Sequence, residues 1–428
     1  MSMLAFAFLL PILTWVQAAG CAILALLFNI LLLPRLAVDL RKRPDQDAAT
    51  NIWTGIVIYP ISVLGLVLLY RHHLHVAASA WAIMALGDGM ASVAGESLRG
   101  PALPWNREKR WSGFAAFLAA GALGAFVLAR WVAPALSTEK VLIVSIAGAL
   151  VGALVESVPI QLDDNLSVPL VSGGFLFCAH LMEWTALLSN LPYLGWRVVL
   201  AVAINASFAL LALGLKMVTR SGAIAGFLLG VAVYLGYGWR SFLVLFTFFV
   251  LGSVATRVGY AGKAKRGIAE KRGGARSWRE ASANTLAGAF FSILVITTPH
   301  EAAFLVALVA AFAEAAGDTV SSEIGQWLSP RAYLITTFKP VPAGENGGVS
   351  IGGTVAGLLA SALIAGVGYT LGVCGLAGTL IALGAGFAGN LFDSVLGATI
   401  ERRGLVTNGI VNFAGTSFAG GLALALML

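Results

Sequence analysis

Trp81-Ala-Ile-Met-Ala-Leu-Gly-Asp-Gly-Met-Ala-Ser92 and Ala311-Phe-Ala-Glu-Ala-Ala-Gly-Asp-Thr-Val-Ser-Ser322 decide how this chain is read. Each is an apolar run interrupted by a Gly-Asp step, with serine three or four residues further on. A charge at the centre of a lipid-spanning helix costs roughly 2.5–3.5 kcal/mol on insertion scales. A chain that accepts Asp88 and Asp318 in the same local setting points to chemistry at both.

The setting is lipid. Of 428 residues, 59% are hydrophobic and 11% charged, and the mean hydropathy is +0.88, whereas a soluble domain carries about 25% charged residues. Backbone groups in lipid must be satisfied internally, and the apolar runs are too long and too unalternating for barrel strands. The expected fold is therefore an all-α polytopic membrane protein of about fourteen transmembrane helices, from 4–33 to 405–428, with 166–189 and 196–215 read as separate spans. The first twenty residues lack a positive n-region and their apolar run continues to Leu33, which favours a spanning helix, tilted or broken at Pro11, over a signal peptide.

With loops alternating sides, all but five of the 27 Lys and Arg residues fall on one side; Arg71, Arg130, Lys140, Arg197 and Arg240 are the exceptions. The positive-inside rule makes the crowded side cytoplasmic and puts both termini outside, which suits a bacterial inner membrane. The formal charge of +7 is then mostly a topology signal, although the basic loop from Arg257 to Arg279 could attract anionic lipid or nucleotide. Nothing points to nucleic acid as a partner. His72, His73 and His75 read as a solvated outer loop, Glu183 as structural, and Cys21, Cys178 and Cys374 as small hydrophobes.

An internal repeat organises the polar residues. After Asp88 comes the basic loop Pro104–Gly113, and after Asp318 comes Thr336–Ser350; each leads into a Gly/Ala-rich span. Glu156-Ser157 and Asp393-Ser394 then place a carboxylate and a serine deep in later spans. Asp163-Asp164-Asn165 and Thr407-Asn408 to Asn412 follow. The shared order predicts two related modules, 1–190 and 191–428, each with a polar pocket opening to the cytoplasm.

Asp88, Ser92 and Glu96 lie along one helical face, and Glu314, Asp318 and Ser322 repeat the geometry. Carboxylates converging with Asn and Ser, without a His or Cys cluster, suit a hard cation such as Mg²⁺. Lys109 and Arg110, or Lys339, would balance phosphate charge, and Gly344, Gly347 and Gly348 would let backbone approach it. A metal with a cationic clamp is the equipment of phosphoryl transfer. No Walker A motif, Gly-rich kinase loop or Rossmann fingerprint is present. An ion pathway or mere helix pairing is the alternative use of intramembrane acids.

At these residues the chain resembles known enzymes. Gly87–Gly95, Pro104–Gly113, Val155–Pro159 and Leu162–Leu170 resemble phytol kinase, in a clan with dolichol kinase and, more distantly, phosphatidate cytidylyltransferase. That resemblance covers roughly 50–190 and implies phosphoryl transfer from CTP to a prenol hydroxyl. Ser221–Gly226, Ala283-Asn284, Glu314–Glu323, Lys339–Thr354, Gly389–Ser394 and Thr407–Asn412 resemble the membrane family that includes phytyl-phosphate kinase. This covers about 200–428 and implies a second phosphorylation, of the monophosphate to the diphosphate.

Together the resemblances imply a bifunctional membrane kinase. Phytol or a similar isoprenoid alcohol would be its substrate, and its product would feed tocopherol, chlorophyll or quinone side chains. Fusion would raise the effective concentration of the monophosphate at the second site. In the first module Asp88 and Asp164 are expected on Mg²⁺ with Glu156 supporting, Lys109 on nucleotide phosphate, and Asn106 and Asn165 positioning it. In the second, Asp318 and Asp393 take the metal roles with Glu314 and Glu323 nearby. Lys339 is expected on phosphate, helped by Asn346, Ser350, Asn408 and Asn412. Cytidylyl transfer to a CDP-lipid and a repeat-built transporter are the competing functions.

Overall fold

The apolar runs form helices because each N–H and C=O in lipid finds its partner within its own segment. The computed structural model describes residues 2–36, 52–98 and 100–428. Arg41, Lys42, Arg43 and Arg99, which the loop-charge argument assigns to the cytoplasmic side, lie outside the described residues. Among the described residues, 12 helices are long and apolar enough to cross a membrane. Two further 18-residue helices, Ile52–Leu69 and Asp164–Leu181, occupy the remaining places where spans were expected.

The chain divides into two compact units, Met1–Leu181 and Met182–Leu428. The first contains α1 (Trp15–Leu32), α2 (Ile52–Leu69), α3 (Leu74–Ser97), α4 (Trp111–Val132), α5 (Thr138–Ser157) and α6 (Asp164–Leu181). The expected break at Pro11 is present: a 3-10 helix, Ser2–Leu9, precedes it. Thr14 and Gln17 then form a reciprocal capping box that starts α1 afresh. Helix α3 is the most enclosed span of this unit and packs against α4, α5 and α6. Gly87 permits that contact, since a Cβ there would lie 2.7 Å from the Phe117 ring of α4.

The second unit contains α7 (Trp184–Gly214), α8 (Arg220–Tyr237), α9 (Trp239–Arg257), α10 (Tyr260–Lys265), α11 (Trp278–Thr297) and α12 (Glu301–Leu328). A small antiparallel sheet follows, with strands β1 (Arg331–Leu334), β2 (Pro340–Pro342) and β3 (Gly348–Val349) in the order β2-β1-β3. Helices α13 (Ile351–Thr370), α14 (Leu376–Glu401) and α15 (Asn408–Met427) complete the unit. Helix α12 is its most enclosed span and packs against α13, α14 and α15, as α3 packs against the three helices that follow it.

Two expectations change. Residue 190 falls inside α7, which runs unbroken through Pro192 for 31 residues. Proline interrupts a soluble helix, but neighbouring helices make it tolerable in a spanning one. The basic loop Arg257–Arg279 is also not simply solvated. Lys263 has no exposed surface and is ion-paired to Glu323 of α12, and it donates to Thr256 O at 3.2 Å.

Breaking a buried pair by removing one partner costs about 3–5 kcal/mol, while replacing both with apolar groups is often neutral. Lys263→Met is therefore expected to lower the unfolding temperature in detergent, and Lys263→Met/Glu323→Leu to recover most of the loss. A single variant that melts like wild type would contradict the buried pair.

Candidate active site

The first polar cluster is built where α3, α5 and α6 converge. Asp88 closes a π-helical turn, Ile83–Asp88, inside α3; such turns are frequent at functional sites. Glu156 stands in the last turn of α5, and Asp164 opens α6. One carboxylate oxygen of each lies within 4.8 Å of the others. Lys109 reaches into this cluster, ion-paired to Glu156 and with Nζ 3.7 Å from Asp164 Oδ2.

Lys109 is held there by its loop. Leu103 N–H donates to Lys109 O at 2.9 Å and Trp111 N–H to Pro101 O at 3.1 Å, so Gly100–Arg110 closes as a hairpin. Buried Asn106 anchors it to α5, donating from Nδ2 to Ser157 O at 3.1 Å, while Trp105 Nε1 donates to Ser157 Oγ at 3.1 Å. Burial alone would lower the basicity of Lys109. Glu156, Asp164 and Asp88 reverse that and hold the ammonium above its ordinary value.

With all three carboxylates ionised, the one ammonium would leave two negative charges uncompensated. One divalent cation would balance them, and the donors are all oxygen, so Asp88, Glu156 and Asp164 fit Mg²⁺.

The second cluster is more deeply enclosed. Glu314 of α12 is buried with neither carboxylate oxygen hydrogen-bonded, and Asp393 Oδ2 of α14 is likewise without a partner. Gly415 of α15 makes room for both: a Cβ there would strike Glu314 Oε1 and lie 3.3 Å from Asp393 Cβ. Asn412 donates from Nδ2 to Asn284 Oδ1 at 3.2 Å and keeps its own buried Oδ1 without a partner. Orphaned buried oxygens of this kind call for a cation or a proton. Among the described residues, however, only the first cluster brings three carboxylates within 4.8 Å.

Several expected participants are placed elsewhere. Glu323 is taken by Lys263. Asn165 is turned toward Asp163, whose Oδ1 accepts from both its backbone and side-chain N–H at 2.9 Å. Arg110 closes its own hairpin through Gly100 O at 3.0 Å. Ser350 caps α13, accepting from Gly353 N–H at 3.2 Å, and Asn408 bonds Glu401. Asn346 is exposed beside the sheet. Gly347, with φ +73°, lies against the backbone of Gly397 and Ala398, so protein packing already uses its openness.

Lys339 is exposed, yet its setting repeats that of Lys109. Each lysine follows its Gly-Asp aspartate by 21 residues. Leu334 N–H donates to Lys339 O at 3.0 Å, as Leu103 does to Lys109 O. The equal spacing is itself a signal in the sequence, independent of any motif.

Arg276 is a further residue at the second cluster that sequence reasoning missed. Its backbone N–H and C=O are fixed by Met217 and Thr219. Its guanidinium lies 5.7 Å from the Phe248 ring centroid. A Cβ on Gly252 would lie 2.5 Å from Arg276 Nη2 and 3.4 Å from Thr319 Cγ2, which places the cation beside the residue that follows Asp318. Burial lowers its basicity, and Glu270, Glu323, Glu280 and Asp318 work in the opposite direction.

Residues 203–420 match the family described as integral membrane protein DUF92. "Uncharacterized membrane protein sll0875" of Synechocystis is 34% identical over 220 residues, which cover 50% of this chain and 85% of that protein. "Protein VTE6, chloroplastic" of Arabidopsis thaliana is 37% identical over 49% of this chain and 65% of its own length. "Probable phytol kinase 3, chloroplastic" of Glycine max is 30% identical over 28% of this chain and 39% of its own. No solved structure matches.

If the first cluster holds a divalent ion, calorimetric Mg²⁺ titration of Asp164→Asn is expected to show one bound ion fewer per chain than wild type. An unchanged stoichiometry and affinity would remove Asp88, Glu156 and Asp164 as its ligands.

Proposed function

The chain belongs to the DUF92 family of integral membrane proteins, and on that premise we propose that it is a two-site membrane phosphotransferase. The first unit phosphorylates a long-chain isoprenoid alcohol such as phytol, and the second converts the monophosphate to the diphosphate, with CTP as donor. The observation that carries this reading is Lys109 set into the Asp88–Glu156–Asp164 cluster: a cation and surplus carboxylates in one place. The named phytol kinase relatives support it. The matching Lys339 hairpin supports a second site of related design.

Phosphoryl transfer asks mainly for positioning and charge neutralisation. Asp88, Glu156 and Asp164 would hold Mg²⁺, which would supply charge neutralisation at the donor phosphates. Lys109 Nζ, poised between Glu156 and Asp164, binds a phosphate oxygen, and Asn106 keeps its hairpin in register. Asp88 accepts the proton of the acceptor hydroxyl as the new O–P bond forms and the bond to the departing CDP breaks. In the second unit Asp318, Asp393 and Glu314 provide the acids, with Arg276 as the buried cation and Lys339 as the exposed one. Both sites face the cytoplasmic side of a bacterial inner membrane, where nucleotide is supplied.

The test is product analysis with labelled CTP and phytol. Asp88→Asn is expected to abolish monophosphate formation while added phytyl phosphate is still converted, and Asp318→Asn to let monophosphate accumulate. Loss of both steps in either variant would sink the two-site reading. Pyrophosphate and a CDP-lipid would mark cytidylyl transfer instead, and uptake into vesicles without nucleotide turnover would mark a transporter.

A further inference from the structure

A cavity of about 100 Å³ lies in the first unit, walled by the N-terminal 3-10 helix, α1, α2 and α3. Its lining is almost wholly apolar and includes Leu10, Ala18, Ala22, Val63 and Val67. The two polar atoms at its wall satisfy each other: Trp81 Nε1 donates to Tyr59 Oη at 2.7 Å. A void of this character stays dry and takes apolar ligands.

Its position matters more than its size, because two helices lead from it to the polar cluster. On α2, Tyr59 stands one turn from Gly55, and a Cβ at Gly55 would lie 3.6 Å from Asp163 Oδ2 and 3.7 Å from Asn165 Nδ2. On α3, Trp81 stands two turns from Asp88, roughly 10 Å along the axis. Tyr59 and Trp81, the residues nearest the cluster on these helices, touch each other. At the other end Phe6 and Leu9 line the cavity and are exposed, so it opens toward the lipid.

We propose that this cavity binds the apolar chain of the acceptor, seating an isoprene segment beyond the hydroxyl-bearing one between the Tyr59–Trp81 pair and Ala22. This rests on the phosphotransferase reading above and adds to it the place where the substrate is measured. A cavity of roughly 150 Å³ holds a benzene ring, so this one matches a branched segment of four or five carbons. The rest of the chain leaves past Phe6 and Leu9 into the bilayer, which leaves total length weakly restricted.

Cys21 lines the cavity and is exposed, whereas Cys178 and Cys374 are buried. It reports occupancy without any turnover. In the solubilised full-length protein, geranylgeraniol is expected to slow Cys21 alkylation by N-ethylmaleimide several-fold, and 1-butanol or a phosphatidylglycerol micelle to leave it unchanged. Ala22→Phe is expected to abolish that protection. It is also expected to lower kcat/KM for geranylgeraniol relative to 3-methylbut-2-en-1-ol by about tenfold, the scale of unburying two methylenes. Should Ala22→Phe misfold, Cys21→Trp fills the same space from an exposed position and carries the kinetic arm alone.

Equal protection by the phospholipid would assign the cavity to a membrane acyl chain and overturn the proposal. So would turnover of geranylgeraniol by wild type with neither protection nor a shifted chain preference in the filled variants. Protection without phosphorylation of any alcohol would instead support the cavity and remove the kinase reading.

Discussion

Charge enclosed among apolar helices has to be met by opposite charge, a proton or a bound ion, and the architecture of both units answers that requirement. In the first unit the answer is Lys109. It is not supplied by a spanning helix, where an unpaired cation would add a second insertion cost. A hairpin on the polar side delivers it, pinned by Asn106 and Trp105 to the end of α5. The convergence of α3, α5 and α6 thus depends on a loop, and the loop depends on the acids that attract its lysine. Small residues make the convergence possible, because α4 presses Phe117 against Gly87, the residue before Asp88.

The second unit solves the same problem differently. Its equivalent lysine stays exposed on the hairpin, and the fixed cation, Arg276, arrives from the turn before α11. Glu314 has no counterpart in the first unit, where Met84 stands four residues before Asp88. Its carboxylate is lodged against Gly415 without a hydrogen bond. The site therefore holds its acids deeper, with its lysine exposed. Such a site gains more from binding a cation than the first, since its acids have fewer partners to give up.

The sequence reveals the parts that follow from local rules. Apolar length gives the helices, the Gly-Asp steps mark the enclosed spans α3 and α12, and Asp88, Glu156, Asp164 and Lys109 meet. Parts that depend on long-range packing are not legible. Arg276 and Lys263 look like ordinary members of a basic loop, and only the fold shows that one is buried beside Thr319 and the other under Glu323. Asn165 resembles a nucleotide ligand by motif, but local geometry turns it toward Asp163 at the start of α6. The boundary expected at residue 190 falls within α7, which runs on through Pro192 because neighbouring helices make proline tolerable in a spanning helix.

The equal spacing of the lysines deserves more weight in relating the units than the resemblance of their helices. Gly/Ala-rich spans are common wherever helices pack closely, so likeness among them discriminates little. A loop has no such constraint, and insertions in it cost little. Yet both loops return a lysine 21 residues after the aspartate and tie it by the same Leu N–H to Lys C=O bond. Two unrelated hairpins would have no physical reason to share that length. A common reason exists if each lysine must reach a charge held near the aspartate: Lys109 already does so, and a phosphate is the group that would draw Lys339 inward.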